Sequence, residues 1–344
     1  MRVLFCPVND ANQIWEYAQA IKAEGWKADV LVFDKHPFGY RADINLNLSK
    51  FGFWQKRFRK LTNFIKVVPN YDIIHFNSGV TLLPRYLDLP LFKTLKKKLV
   101  MNFHGSNARL YHLAVQKNPY YSLLENRCLP KSVLLKKDEE NIRRMKLISR
   151  YISNVVVPDY ELLEYVKDFF SKTWVIPHTI NFENIQPFWP SISKHSPIIL
   201  HAPSEKNLKG TSYVLKAISN LTKYYRFKFM LLTGVSHKKV LQILPKADIV
   251  IDQLIIGSYG VFAIEAMAFG KPVICYIRED LLNKFPSELP IVNANPDTIE
   301  RKLKELIESP KLRREIGIKS RKFVEKYHHP KVVAKKLIDM YNSI

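Results

Sequence analysis

Short β-branched and aromatic runs alternate with helical stretches twice along this chain, and a proline-rich break separates the two series. Consecutive strands joined by helical crossovers must run parallel, so the pattern calls for parallel sheets covered by helices. In the first series, residues 3–6, 28–33, 72–76, 99–103, 155–157 and 174–176 read as strands. Residues 12–24 read as a helix stopped by Gly25. The stretch 177–197 carries four prolines and little periodicity, the mark of a linker. In the second series, 198–201, 227–232, 249–251 and 272–276 read as strands, and 211–224 and 258–269 as helices. Three helices close the chain, over 296–308, 310–326 and 330–341. Each opens with proline near its first turn, where the missing N–H costs nothing. The expectation is an α/β chain of two doubly wound parallel-sheet domains, 1–178 and 198–328, with a linker at 179–197. A terminal helix, 329–344, is expected to return to the first domain. Open parallel sheets bind ligands at the carboxyl ends of their strands, so a shared ligand is expected in a cleft between the domains.

The 344 residues, 47% apolar, suffice for two cores. Cys6, Cys128 and Cys275 are odd in number and far apart, which fits buried thiols in a reducing compartment rather than a disulfide framework. The opening residues turn polar too soon for a secretory signal, and no apolar run approaches the roughly 20 residues of a membrane span. A cytoplasmic location is expected. Lys and Arg number 54 against 31 acids, a net charge of +23, and the excess is uneven. Between Asp43 and Glu125 stand thirteen basic residues and only two acids, Asp72 and Asp88. Such a field attracts nucleic acid, acidic membrane or acidic glycan. No helix-turn-helix, zinc-finger or RNA-recognition signature accompanies it, so no specific nucleic-acid partner is expected.

The most informative stretch is 257–274, Gly-Ser-Tyr-Gly-Val-Phe-Ala-Ile-Glu-Ala-Met-Ala-Phe-Gly-Lys-Pro-Val-Ile. A glycine-containing loop, Gly257 to Val261 with Ser258, Tyr259 and Gly260, leads from a strand into a helix, where free N–H groups make an anion site. Glu265 falls on an apolar stripe and must be buried and paired, capped, or holding a ligand's hydroxyls. In 198–211, a polar loop containing Ser204 and Lys206 delivers Lys209-Gly210 at a helix start, a suitable place for a diphosphate. His104 follows a buried strand, beside Gly105, where α/β folds place ligands. Asn9 and Asn12, in the loop after the first strand, are candidate helix caps or acceptor contacts, and Arg109 is a candidate partner for an anionic acceptor. No Asp-x-Asp triplet or His/Cys cluster has metal spacing, so no metal or other cofactor is expected.

These residues resemble the donor-binding signature of retaining GT-B glycosyltransferases, the family that includes sucrose synthase and phosphatidylinositol mannosyltransferases. The resemblance implies GT-B architecture, two Rossmann-like domains facing across a cleft, and metal-independent transfer from a nucleotide-sugar donor to an acceptor. By it, Ser258 to Val261 form the donor loop, Glu265 holds the donor ribose, Lys209 the phosphates, and His104 the donor sugar near the reacting carbon. Lys206 or Ser204 stands in for an arginine absent from its usual place. Residues 176–181 match the family's interdomain turn. The family's first glutamate falls on Gly257, a departure that touches the donor sugar and leaves open a degenerate subunit or regulator. An epimerase on the same fold is a further alternative.

Phe51, Trp54, Phe58, Leu61 and Ile65 recur at helical spacing, flanked by Lys50, Lys56, Arg57, Arg59, Lys60 and Lys66. Two readings follow: a helix packed on its own sheet with a solvated basic face, or an in-plane contact with an anionic membrane. The second places the protein at a membrane surface, where lipid-linked or cell-surface glycan acceptors reside.

Overall fold

The computed structural model describes residues 1–125, 129–182 and 185–344, and these divide into two compact units. Unit 1 is Met1–Leu110, Lys136–Thr179 and Pro330–Ile344; unit 2 is Tyr111–Leu135 and Ile180–His329. The strands of unit 1 are β1 (Arg2–Cys6), β2 (Lys27–Val32), β3 (Ile44–Asn45), β4 (Ile73–Asn77), β5 (Lys98–Asn102), β6 (Asn154–Val157) and β7 (Lys172–Val175). Those of unit 2 are β8 (Ile198–His201), β9 (Lys228–Leu231), β10 (Ile249–Ile251), β11 (Val273–Cys275) and β12 (Val292–Asn293). The first helices are α1 (Gln13–Ala23), α2 (Phe53–Val67), α3 (Asp88–Thr94), α4 (Tyr111–Lys117), α5 (Lys131–Ile148) and α6 (Tyr160–Val166). They are followed by α7 (Lys206–Lys209), α8 (Thr211–Leu221), α9 (His237–Ile243), α10 (Val261–Ala268), α11 (Ile299–Glu308), α12 (Pro310–Tyr327) and α13 (Pro330–Asn342).

Both sheets are parallel throughout, in the orders β3-β2-β1-β4-β5-β6-β7 and β12-β11-β10-β8-β9. Each order reverses once, between β1 and β4 in unit 1 and between β8 and β10 in unit 2. At such a switch point the loops leaving two neighbouring strands diverge to opposite faces and open a crevice at the carboxyl edge. Fold and topology thereby mark, in each unit, one place for a ligand.

In unit 1, Ile14, Tyr17, Ala18 and Ile21 form one stripe of α1 and bury against Val3, Phe5 and Val30. The last helix, α13, adds Val333, Ala334, Leu337, Met340 and Tyr341 to that core. The Tyr341 hydroxyl lies 2.6 Å from Nδ1 of the buried His75. In unit 2, Ile199, Ile249, Ile251 and Ile274 of the sheet are covered by Val214, Ala217, Ile218 and Leu221 of α8 and by Leu303, Leu306 and Ile307 of α11. Cys6 and Cys275 are buried free thiols, and Cys128 lies outside the described residues.

Several boundaries differ from the periodicity. The helix expected over 258–269 begins at Val261, because Gly260 is extended (φ −110°, ψ −173°) and serves as its N-cap. The helix expected from 296 begins at Ile299, because the Asn295 side chain accepts from the N–H groups of Asp297 and Thr298 and holds a turn there. Residues 1–178 were expected to form one domain, yet Tyr111–Leu135 clusters with unit 2. Its attachment is polar: Asn118 Nδ2 donates to the carbonyls of Ile255 (2.7 Å) and Ile256 (3.1 Å), and the Tyr120 hydroxyl donates to Asp297 (2.7 Å). Side-chain bonds of this range leave no period in a sequence.

Burial pushes the His75 imidazole down to about 3 and His201 to about 4, so both are neutral in the native state at neutral pH. The unfolded chain takes up those protons near the ordinary value of 6.5 while the native state does not. Stability is therefore lost as pH falls below that value, by up to about 1.4 kcal/mol per pH unit for each histidine. The melting temperature followed by circular dichroism should fall between pH 7 and pH 5, and a flat profile would contradict the burial of two neutral imidazoles.

Candidate active site

The crevice of unit 2 is built by the loops after β8 and β10. His201 ends β8 fully buried, with Nδ1 2.9 Å from the Ile251 carbonyl and Nε2 2.9 Å from the Thr211 hydroxyl, which fixes the loop between them. Ser204 and Lys206 are exposed on that loop. Lys209 ends the single turn of α7, and Gly210 then takes a left-handed conformation (φ +75°) in which an added Cβ would lie 3.1 Å from Leu254. The backbone N–H of Leu254 donates to the Lys209 carbonyl (3.2 Å), tying the two loops together.

The Lys209 amine lies 2.6 Å from Asp252 Oδ1 and 2.8 Å from Gln253 Oε1, and the Asp252 side chain has no exposed surface. The other oxygen of Asp252 accepts from the Gly260 N–H (3.4 Å) at the start of α10. A cation and the amide end of a helix thus converge on one carboxylate at the switch point. Their net field favours an anion.

Glu265, on the second turn of α10, is almost fully buried and pairs with Nε2 of His237 at 2.6 Å. His237 is the first residue of α9, capped by Ser236, just beyond the carboxyl end of β9. Ser258 is buried, and the Tyr259 hydroxyl lies 3.1 Å from His328 Nε2, its ring against Phe285. Gly257 holds φ +91°, and a Cβ there would meet Arg278 Cγ at 2.5 Å. Arg278 is fully buried, its guanidinium forked onto Asp280 at 2.9 and 2.5 Å, which holds that carboxyl below the usual range.

The crevice of unit 1 lies after β1 and β4. Ser78, directly after β4, donates its hydroxyl to Asp10, and Ala11, Asn12 and Ser78 all have positive φ (49°, 60° and 61°). Backbone strain of this kind concentrates at functional sites. Asn9 Nδ2 bonds Asn12 Oδ1 (3.3 Å) and the Arg41 carbonyl (3.1 Å), and Asn12 Nδ2 donates to Glu16 (2.7 Å). Neither side chain caps α1. The capping expectation fails because Asn12 itself is left-handed and its amide is spent one turn ahead. His104 follows β5 with Nε2 3.0 Å from the Asn102 amide and its ring stacked on His178 at 5.2 Å. Burial lowers His104 to about 4, opposed by the nearby Asp10, so a neutral imidazole stands there. Arg109 does not face an open acceptor position: it grips the buried Glu161 through two nitrogens (2.8–2.9 Å) and is itself largely buried.

Two facing loops, a lysine, a helix N-terminus and a buried glutamate thus meet at the carboxyl edge of a doubly wound parallel sheet. Residues 225–323, within unit 2, match the family of glycosyl transferases group 1. No curated protein matches the sequence. Among solved structures, the chain is similar to sucrose-phosphate synthase from Thermosynechococcus elongatus, with 16% identity over 99% of this chain and 98% of that one and a TM-score of 0.69. It is similar also to Anabaena HepE in complex with UDP-glucose (12%, all of both chains, 0.62) and to WaaG, a glycosyltransferase involved in lipopolysaccharide biosynthesis (10%, 97% and 98%, 0.58). The chain has the GT-B fold of these structures, and its likeness to the glycosyl transferases group 1 lies in residues 225–323.

Asp252, Gln253, His237 and Arg278 were not singled out by sequence. An acid at the carboxyl end of a buried strand is a legible signal for Asp252, whereas His237 and Glu265 are 28 residues apart and share no motif.

Gly257→Ala should cost about 1–2 kcal/mol for the left-handed backbone alone, and more for the contact with Arg278. In a chain of this size each kcal/mol lowers the melting temperature by about 2–4 °C or less. Shortening the contact partner as well, in Gly257→Ala/Arg278→Ala, should cost less than the two single losses summed. Strict additivity in a thermal-melt cycle would show that Arg278 does not dictate the glycine.

Proposed function

We propose that the crevice of unit 2 binds a nucleotide sugar, with the diphosphate between Lys209 and the first amides of α10 and the ribose hydroxyls on Glu265. The observation that carries this reading is the convergence of the Lys209 amine and the Gly260 N–H on one point at the β8/β10 switch. As the glycosidic bond breaks, charge grows on the leaving diphosphate, and fixed donors already aimed there lower its energy. Lys209 and the helix amides supply that stabilisation without a metal, and retention of anomeric configuration follows the family resemblance. Ser204 and Lys206 lie on the same loop, free to reach the phosphates from the solvent side. By the family resemblance, neutral His104, just beyond the end of β5, is assigned to the donor sugar, and Asn9 and Asn12 are assigned to the acceptor. With Gly257 in place of a carboxylate, the Arg278 side chain fills the space over that position. HepE was solved with UDP-glucose, in agreement with a nucleotide-sugar donor.

The acceptor in this reading is a lipid-linked or cell-surface glycan approached from an anionic membrane. Helix α2 is formed over Phe53–Val67, with Phe51 just ahead of it under the Arg59 guanidinium at 3.7 Å. Its apolar stripe is not packed on the sheet. Only Phe64 is buried, while Trp54 (75% exposed), Phe58 (67%), Leu61 and Ile65 face solvent. Phe64 meets Phe92 of α3 edge-on, ring centres 5.2 Å apart, and α3 carries exposed Leu91 with Leu87 and Leu95 at its two ends. Two adjoining helices therefore present apolar rows among lysines and arginines. No helix among the described residues is long and apolar enough to cross a membrane, so the association would be in-plane.

In a thermal-shift panel of nucleoside diphosphates and their sugars, a cognate ligand at about a hundred times its dissociation constant adds about 2.7 kcal/mol. Lys209→Ala and Glu265→Ala should each weaken binding by about 1.5–3 kcal/mol, the range for hydrogen bonds to charged groups. A shift that survives both substitutions moves the donor elsewhere. Turnover should withstand a chelator, and its loss would overturn the metal-free step.

Phosphatidylglycerol liposomes at low salt should sediment the protein, and phosphatidylcholine liposomes should not. Removing Lys56 and Arg57 should weaken the association by about 1 kcal/mol each. Retention of full binding after Trp54→Ser/Phe58→Ser would rule out α2 as the contact.

A further inference from the structure

We propose that Asp252 is a built-in competitor of the diphosphate, holding its seat until a ligand carrying more than one negative charge displaces the carboxylate. The proposal rests on the donor assignment above and adds a specificity-determining residue to it. Each oxygen of Asp252 takes one of the two donors assigned to the phosphates: Oδ1 the Lys209 amine (2.6 Å), Oδ2 the Gly260 N–H (3.4 Å). An added Cβ on Gly260 would lie 3.9 Å from Asp252 Oδ2 and 4.0 Å from Lys209 Nζ, so the three groups surround one small volume.

The surrounding bonds leave the carboxylate as the movable part. The main chain at Asp252 is fixed by its N–H to the Ile274 carbonyl (2.9 Å). Gln253 keeps its own place by donating to the Ser258 carbonyl, and its oxygen still holds the lysine. Rotation of one side chain then clears the seat while Lys209 remains aimed at it.

Charge decides what can clear it. Separating a buried ion pair without replacement is strongly unfavourable, because each charge is left without water or a partner. A neutral sugar or a nucleoside offers Lys209 nothing in exchange. A single charge roughly matches Asp252, whereas a diphosphate brings further oxygens to the amine and the helix amides together. The return of Asp252 to Lys209 after transfer displaces the nucleoside diphosphate, so the residue sets ligand selectivity and speeds product release.

Isothermal titration of the full chain tests this with inorganic pyrophosphate, inorganic phosphate, and the nucleoside diphosphate that stabilises the wild type most. Asp252→Asn keeps the shape and removes the charge. It should tighten pyrophosphate and the nucleoside diphosphate at least tenfold, leave the bare nucleoside unchanged, deepen product inhibition and lower kcat. Asp252→Ser, which also removes the charge but frees space, should do the same and serves if the amide disturbs folding. Adding Lys209→Gln to either variant should abolish the gain. Unchanged or weaker diphosphate binding in the charge-removed variants would overturn the proposal and assign Asp252 the opposite role, support of Lys209. If no nucleoside diphosphate binds the wild type, the donor reading fails, while the pyrophosphate response to Asp252→Asn still decides this one.

Discussion

The ion pair between Lys209 and Asp252 organises the working edge of unit 2. It joins the loop after β8 to the strand end of β10 at the one place where the sheet order reverses, and it is almost wholly withdrawn from water. A lone lysine there would be costly to bury and mobile if exposed. Paired with Asp252 and Gln253, it is held against the start of α10, and the loop between them inherits that geometry. The neighbouring turns conform: left-handed Gly210 leaves no room for a side chain beside Leu254, and the Leu254 N–H closes on the Lys209 carbonyl.

Unit 2 solves the same problem three times by different means. Lys209 is matched by Asp252, Glu265 by His237, and Arg278 by Asp280. Each pair brings a charge into a largely apolar setting, and each leaves one partner near the surface except the first, whose carboxylate is fully covered. The contrast explains the absent motif glutamate: Arg278 fills the space over Gly257, and a side chain there would collide with it. Unit 1 distributes charge differently. Its interior histidines are kept neutral by burial, while the cations of α2 stay at the surface beside exposed aromatic rings, Arg57 lying 4.5 Å over Phe53.

Much of this was legible in the residues. The strands over 3–6 and 249–251 announce themselves because a strand buried on both faces is apolar at every position, and α1 because its stripe repeats at 14, 17, 18 and 21. Lys209 and Glu265 stand out in the sequence by their offsets to glycine and to strand ends. Of their partners, Asp252 is marked only by its place at a strand end, and His237, 28 residues from Glu265, by nothing. Arg109 misled for the same reason: a basic residue beside a strand end looks available until Glu161, 52 residues away, is found in its fork. The exposure of α2 lay between these cases. The amphipathic pattern was plain, but which side of the helix met protein was not.

The sequence alone determined the class of fold, the alternation of strands and helices, and the anion-favouring loop into α10. These depend on local periodicity and on glycine and proline placement, which the chain carries residue by residue. Only tertiary structure decided which charges are spent on each other, where the 111–135 segment attaches, and whether an aromatic face is covered. Those outcomes depend on distances between residues far apart in the chain, and such distances exist only once the sheets have formed.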